Sequence, residues 1–371
     1  MTTRTCSGLD DRFTGALKYR RWSFAGALVA LCLTAASFVH GEPVYPGAAW
    51  NIPASADPSA RWSQEKLKLA DDYASAARSD AYLVVHQGRL VHAYGDISKP
   101  MNIASIRKSV LSVLYGIYVD RGAIDLNQKL SELDITDKGG LSDVERSATV
   151  RQLMQARSGI YHEAAYETSH AKKLRPERGS RAPGQRWYYN NWDFNALGTI
   201  FQRRTGKDVF EALNIELAIP LQFQDFRYPK DTEFKYERSS DHPAYVMYLS
   251  ARDLARVGLL VSRDGRWNGR QIVSPAWLRE STTSYSAAGG GNGYGYMWWI
   301  PYVAFPSWRL SANQLVIADG FGGQFMLVDR VRDIVVVHRV NNSRLWYKRN
   351  TVDAGQFAEL AARIIAAAPA R

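Results

Sequence analysis

The chain alternates between three kinds of pattern. After Ser63, the apolar residues Leu69, Ala70, Tyr73, Ala74 and Ala77 recur at helical spacing. Ser63 stands as an N-cap three residues before Lys66, so the pattern predicts a helix over 64–78. Tyr82–His86 and Leu90–Tyr94 flank a Gln87-Gly88 pair, the mark of a β-hairpin. From Ser105 to Asp120, Val110, Leu111, Val113, Leu114 and Ile117 leave little polar face. That predicts a buried helix, ended by Gly122. Helices are also expected over 149–156, 192–204, 209–217 and 251–262, joined by loops rich in Gly, Pro and Asp. The segment 160–188 reads as an extended loop of the kind that lines sites. Strands are expected at 294–300, 324–328 and 334–338, and a closing helix at 354–367. Sheet elements therefore stand at both ends with helices between. The economical topology is one sheet drawn from both ends with a helical domain inserted in it.

The N-terminal segment adds an address. Lys18, Arg20 and Arg21 precede a nearly unbroken apolar run from Ser23 to Val39, about 17 residues, short for a membrane span and near the length of a signal peptide's apolar region. Val39 and Gly41 suit a cleavage site. The expectation is a removed signal peptide, 1–41, and a periplasmic or secreted protein with no stable membrane association; a retained anchor is the alternative. Both cysteines, Cys6 and Cys32, fall in this segment, so the mature chain would have no thiol nucleophile, thiolate metal site or disulfide.

The net charge is +11. The basic residues are scattered among acids rather than gathered on one element, which argues against a nucleic-acid partner. No His/Asp/Glu grouping has metal-ligand spacing and no phosphate loop occurs, so no metal and no cofactor are expected.

Ser-x-x-Lys occurs at Ser63/Lys66, Ser105/Lys108 and Ser169/Lys172. On a helix, residues three apart share a face, so the amine can reach the hydroxyl. Serine needs a base, and lysine serves only where its pKa is lowered by burial or a neighbouring cation. Ser63 opens a surface helix and Ser169 lies in a polar loop. Only Ser105 begins an apolar helix, where Lys108 is held against packed side chains and helix N–H groups can meet an oxyanion. The plain alternative is an N-cap beside a surface lysine.

The segment Asn102–Ser109, followed by Gly122-Ala-Ile-Asp-Leu126, resembles the active-serine region of the serine β-lactamase and penicillin-binding-protein superfamily. The branch it is most similar to holds class C β-lactamases with their esterase, D-alanyl-peptidase and 6-aminohexanoate-dimer hydrolase relatives. Val150–Ile160, Pro183–Asn191 with Asn195–Gly198, and Gly320-Phe-Gly-Gly-Gln324 match further motifs in family order over most of 60–367. The resemblance implies an α+β fold of the β-lactamase type. Its antiparallel sheet would come from 42–104 and 290–371, with an all-helical domain, 105–289, inserted and the active site between the two. It implies Ser105 as nucleophile, with Lys108 and Tyr189 moving the proton. Asn191, rather than Asn190, would orient lysine or substrate, and Tyr188 would be a packing aromatic. Phe321, Gly322, Gly323 and Gln324 would bind substrate, with the Gln324 and Ser105 N–H groups as the oxyanion hole.

Many relatives place Lys or His where Phe321 stands. A phenyl ring cannot hold a substrate carboxylate, and this departure counts against β-lactams. The expected function is hydrolysis of a small, uncharged amide or ester. A true class C-type β-lactamase or D-alanyl-D-alanine peptidase is the enzymatic alternative, with Arg157 and Arg339 as candidate carboxylate partners. A catalytically silent penicillin-binding-like sensor is the alternative of another class. His86, His92 and His338 read as structural, and Asp125 and Asp193 as caps or turn residues.

Overall fold

The computed structural model describes residues 42–51, 60–301, 314–342 and 351–369, and Pro43–Arg371 forms one compact unit. The expected signal segment lies outside the described residues. In chain order the elements are α1 (Gln64–Ala76), β1 (Ala81–His86), β2 (Arg89–Gly95), β3 (Met101–Asn102), α2 (Ile106–Asp120), α3 (Asp143–Arg146), α4 (Val150–Met154) and α5 (Ser169–Leu174). Then come α6 (Asn191–Thr205), α7 (Val209–Ala212), β4 (Thr232–Glu237), β5 (Ser240–Leu249), α8 (Ala251–Ser262), β6 (Arg266–Trp267), β7 (Arg270–Gln271) and α9 (Pro275–Ser281). The last are β8 (Ser286–Ala287), β9 (Asn292–Tyr294), β10 (Trp299–Pro301), β11 (Leu315–Gly320), β12 (Gln324–Asp329), β13 (Ile334–Arg339) and α10 (Ala354–Ala366).

Eight strands form an antiparallel sheet in the order β2-β1-β13-β12-β11-β10-β9-β8. The β1–β2 hairpin turns at Gln87 and Gly88, both at positive φ, and a Cβ on Gly88 would lie 1.8 Å from the Val44 carbonyl oxygen. Only glycine fits there. The strands β1, β12 and β13 are buried along their whole length. Helices explain why. The helix α8 packs on β12, β13 and β1. On the other face, Phe357 of α10 stacks on Phe325 of β12 at 4.3 Å. Two apolar clusters result. One joins the sheet to α2, α6 and α8, and the other joins it to α1 and α10.

Three expectations need correction. The block 105–289 is not all helical: β4 and β5 form a hairpin, and β3 adds to β5. The stretch 294–300 is not one strand, because Met297 at φ 63° reverses the chain between β9 and β10. A strand not expected, β11, precedes Phe321 and pairs with β12 in register Gly320↔Gln324.

Candidate active site

Ser105 stands where β3 turns into α2. Just before it the chain passes through Ala104 at φ 47°, a left-handed conformation that a non-glycine residue keeps only where its surroundings compel it. Asn102 Oδ1 accepts the Ala104 N–H at 2.8 Å and helps hold that turn. The N–H groups of Ile106, Arg107 and Lys108 donate to the carbonyls of Ile103, Ala104 and Ser105. The Ser105 N–H finds no partner among the described residues, and the Ser105 side chain makes no cap bond. Its hydroxyl and amide are both open to chemistry.

One turn on, Lys108 is 1% exposed. Its Nζ lies 3.2 Å from Ser105 Oγ, 2.7 Å from Tyr189 Oη and 2.7 Å from Asn191 Oδ1. It also sits 4.1 and 4.3 Å from the ring centres of Tyr189 and Phe194. Burial and then the neighbouring Arg107 guanidinium hold the lysine pKa well below its ordinary value, while Asp319 and Glu167 pull it back up. A neutral amine has two N–H groups and a lone pair, so it can receive the serine proton. Burial raises the Tyr189 pKa, against a hydrogen bond with Ser105 and the charge of Arg107. Tyr189 is therefore a protonated phenol at neutral pH, able to pass a proton on.

The two Tyr-x-Asn registers separate cleanly. Tyr188 Oη donates to the Ala171 carbonyl and its ring packs edge-on against Tyr161. Asn190 caps α6 by accepting the Trp192 N–H at 3.1 Å. Tyr189 and Asn191 are the pair that meet Lys108, and Asn191 Nδ2 is fixed by the Tyr166 carbonyl at 3.0 Å. The other Ser-x-x-Lys pairs have different occupations. Lys66 Nζ donates to the Ala366 carbonyl, and Lys172 lies 3.8 Å from Glu237. Of the two carboxylates set aside earlier, Asp125 accepts the Asn127 N–H. Asp193 is buried on Ser158 and Asn190.

The third motif lies elsewhere than expected. Gln324 is fully buried in a strand that pairs on both sides. Its amide group donates to the Val340 carbonyl at 2.6 Å and accepts from Arg339 Nε at 2.7 Å. The Gln324 side chain is thus committed to the protein interior. Gly322 and Gly323, at φ 81° and 95°, close the β11–β12 turn against Asn342, Val340 and Val352. Phe321 holds its ring out, 62% exposed. The part that meets the serine is the end of β11: a Cβ on Gly320 would lie 2.6 Å from the Ile103 carbonyl and 3.2 Å from Ala104 Cβ. Pairing of β10 with β11 covers only Trp299↔Ile317, so the β11 edge from Ala318 onward is unpaired by β10.

Two site acids escaped the sequence reading, Glu167 and Asp319. Glu167 is tied to Arg175 at 2.5 Å. Asp319 has no hydrogen-bond or ion-pair partner among the described residues, and only the Lys108 charge acts on it. The signal for it was a charge interrupting the apolar run Leu315–Ala318 just before glycine. The candidate carboxylate partners are engaged elsewhere: Arg157 holds Gly184 and Ser286, and Arg339 is buried among the carbonyls of Leu249, Met101 and Asn102. Among the described residues no group of acidic, His or Cys side chains could hold a metal ion, and no helix is long and apolar enough to cross a membrane.

The sequence profile of the beta-lactamase family matches residues 67–351. The chain is 25% identical over 265 residues to an uncharacterised protein of Alkalihalophilus pseudofirmus, covering 65% of this chain and 73% of that one. Its fold is similar to that of a candidate 6-aminohexanoate-dimer hydrolase from Bacillus anthracis, with a TM-score of 0.61, 20% identity and 86% of each chain covered. It is also similar to a penicillin-binding protein homologue from Caulobacter crescentus, with a TM-score of 0.60, 15% identity and coverage of 82% and 98%. A third similar structure is EstCE1, a hydrolase with promiscuous acyltransferase activity, with a TM-score of 0.56, 14% identity and coverage of 82% and 97%. Matched over three-quarters of its length, the chain belongs to the beta-lactamase family of serine hydrolases.

Proposed function

We propose that the protein is an exported esterase or amidase that acylates Ser105 with a small substrate and then releases the acyl group to water. The observation that carries this reading is the position of Lys108: buried, with its pKa held well below the ordinary value, and within hydrogen-bond reach of Ser105, Tyr189 and Asn191 at once. Lys108 takes the serine proton as Oγ attacks the carbonyl carbon. The Ser105 N–H and the unpaired β11 edge at Asp319–Phe321 receive the oxyanion. Tyr189 protonates the leaving group, and water then attacks the acyl-serine with the same groups working in reverse.

Penicillins fit this site poorly. A carboxylate beside the scissile bond would meet Asp319 rather than a cation, since Arg157 and Arg339 are committed elsewhere. Desolvating such a charge unpaired costs at least several kcal/mol. A binding-only role has no use for a lysine whose charge is suppressed at a serine.

Ser105→Ala should lose activity on p-nitrophenyl butyrate by several powers of ten while folding normally, on the scale of nucleophile removal elsewhere. Retention of more than about a tenth of the rate would remove Ser105 from the role. Nitrocefin turned over as fast as the ester would favour the β-lactamase alternative. N-terminal sequencing of secreted protein tests export: a start at Glu42 is expected, and membrane-bound protein retaining residues 1–41 would contradict it.

A further inference from the structure

Asp319 presents an unusual combination. It lies one residue before Gly320, where β11 runs against the Ile103–Ala104 turn that carries Ser105. It is half-buried, and its charge acts on both Lys108 and Tyr189. No hydrogen-bond donor or ion-pair partner reaches its carboxylate among the described residues. Carboxylates placed in protein interiors are ordinarily paired or hydrogen-bonded, because an unpaired one is costly. Lys108 acts on it by charge without touching it: the lysine spends its hydrogen bonds on Ser105, Tyr189 and Asn191, and no ion pair joins it to Asp319. Among the described residues, then, the counter-charge is missing, and a cationic group on a substrate would supply it.

The neighbouring surface suits a cation too. Trp299 stacks on Tyr189 at 5.6 Å, and Trp187 meets Trp299 edge-on at 6.1 Å. All three rings are part-exposed, and aromatic faces attract alkylammonium groups. We infer that the substrate carries a positively charged nitrogen close to its scissile ester or amide, and that Asp319 is the carboxylate that receives it. The inference rests on the acyl-enzyme reading above, and it replaces the expectation of an uncharged substrate. Asp319 selects substrate here, by attracting the cation and repelling carboxylates.

The test uses three p-nitrophenyl methylphosphonates that differ only in their second ester group: 2-(trimethylammonio)ethyl, its neutral isostere 3,3-dimethylbutyl, and 2-carboxyethyl. Ser105 Oγ bonds to phosphorus, p-nitrophenolate leaves, and the serine proton passes to Lys108. Intact-protein mass spectrometry gives each rate without requiring turnover. The cationic probe should label Ser105 at least about tenfold faster than the isostere, and the carboxylate probe slowest, in keeping with charges a few ångströms apart in a part-buried site. Asp319→Asn should bring the cationic-to-neutral ratio within about twofold of unity, and Asp319→Glu should keep the preference. The ratio is internal to each variant, so a change in intrinsic reactivity cancels. Equal rates in the wild type, or an undiminished ratio in folded Asp319→Asn, would overturn the inference alone. No labelling of Ser105 by any probe would overturn the acyl-enzyme reading and this one with it.

Discussion

At the scale of single residues, the site is a balance of charges around one amine. Arg107 is 2% exposed and packs between the rings of Tyr166 and Tyr245 at 5.4 Å from each. Its Nη1 donates to the Ala104 carbonyl, and Nε and Nη2 are buried without partners. The Arg107 guanidinium beside Lys108 lowers the lysine pKa, whereas Asp319, itself pushed up to about 6 by burial, raises it. Lysine acts as base only when neutral, so activity is present above its folded pKa and lost as pH falls through it. Removing Arg107 raises that pKa, and removing Asp319 lowers it. In kcat/KM profiles on the neutral p-nitrophenyl butyrate, Arg107→Met should move the acid limb to higher pH and Asp319→Asn should move it to lower pH. Shifts of the same sign would refute this assignment of forces. The serine and lysine were legible because spacing and an apolar helix singled them out from two decoys, and Tyr189 because its offset from Pro183 fixed the register. Asp319 was not legible, since an isolated acid at a strand end looks like any turn residue until the strand is placed beside the serine. For Gln324, the motif match did not reveal that its side chain turns into the interior, onto Val340 and Arg339.

At the scale of elements, the proposed chemistry places Lys108 on α2 and Ser105 at its start, so α2 must be held without slack. Its glycine, Gly116, lets α9 approach: a Cβ there would lie 2.2 Å from the Trp277 ring, whose Nε1 donates to the Ser112 carbonyl at 3.0 Å. Gly116→Ala forces α2 and α9 apart and should cost about 1–3 kcal/mol as overpacking. It should also lower kcat, because the same helix sets the Ser105–Lys108 distance. Denaturant melts and steady-state rates check both parts, and an alanine variant of unchanged stability would contradict the packing argument. The helices α1, α2, α6, α8 and α10 were legible because each buries one face or all of itself at helical period. The β4–β5 hairpin was not. Thr232–Glu237 alternates weakly, and Ser240–Leu249 contains His242 and Pro243, which hide its strand character. Likewise Tyr294–Ile300 reads as one aromatic strand, and only the left-handed Met297 turns it into two.

At the scale of the whole molecule, the sheet closes between chain ends, with β1 paired to β13 along six residues from Ala81↔Arg339 to His86↔Ile334. That arrangement was legible from the order of elements alone, because short apolar strands at both termini must find one another to be buried. What it achieves is to set the end of β11 against the turn that leads into α2, with α6 packed on α2. Ser105, Lys108, Tyr189 and Asn191 come from separate stretches and meet there. On the proposed function, this meeting makes Ser105 a nucleophile. The most direct measurement is acid quenching of the protein during turnover of p-nitrophenyl butyrate, followed by peptide mapping by mass spectrometry. A single butyryl group is expected, on the peptide that contains Ser105 and absent from Ser105→Ala. A butyryl group on Ser63 or Ser169, or turnover with no acylated peptide at all, would contradict it.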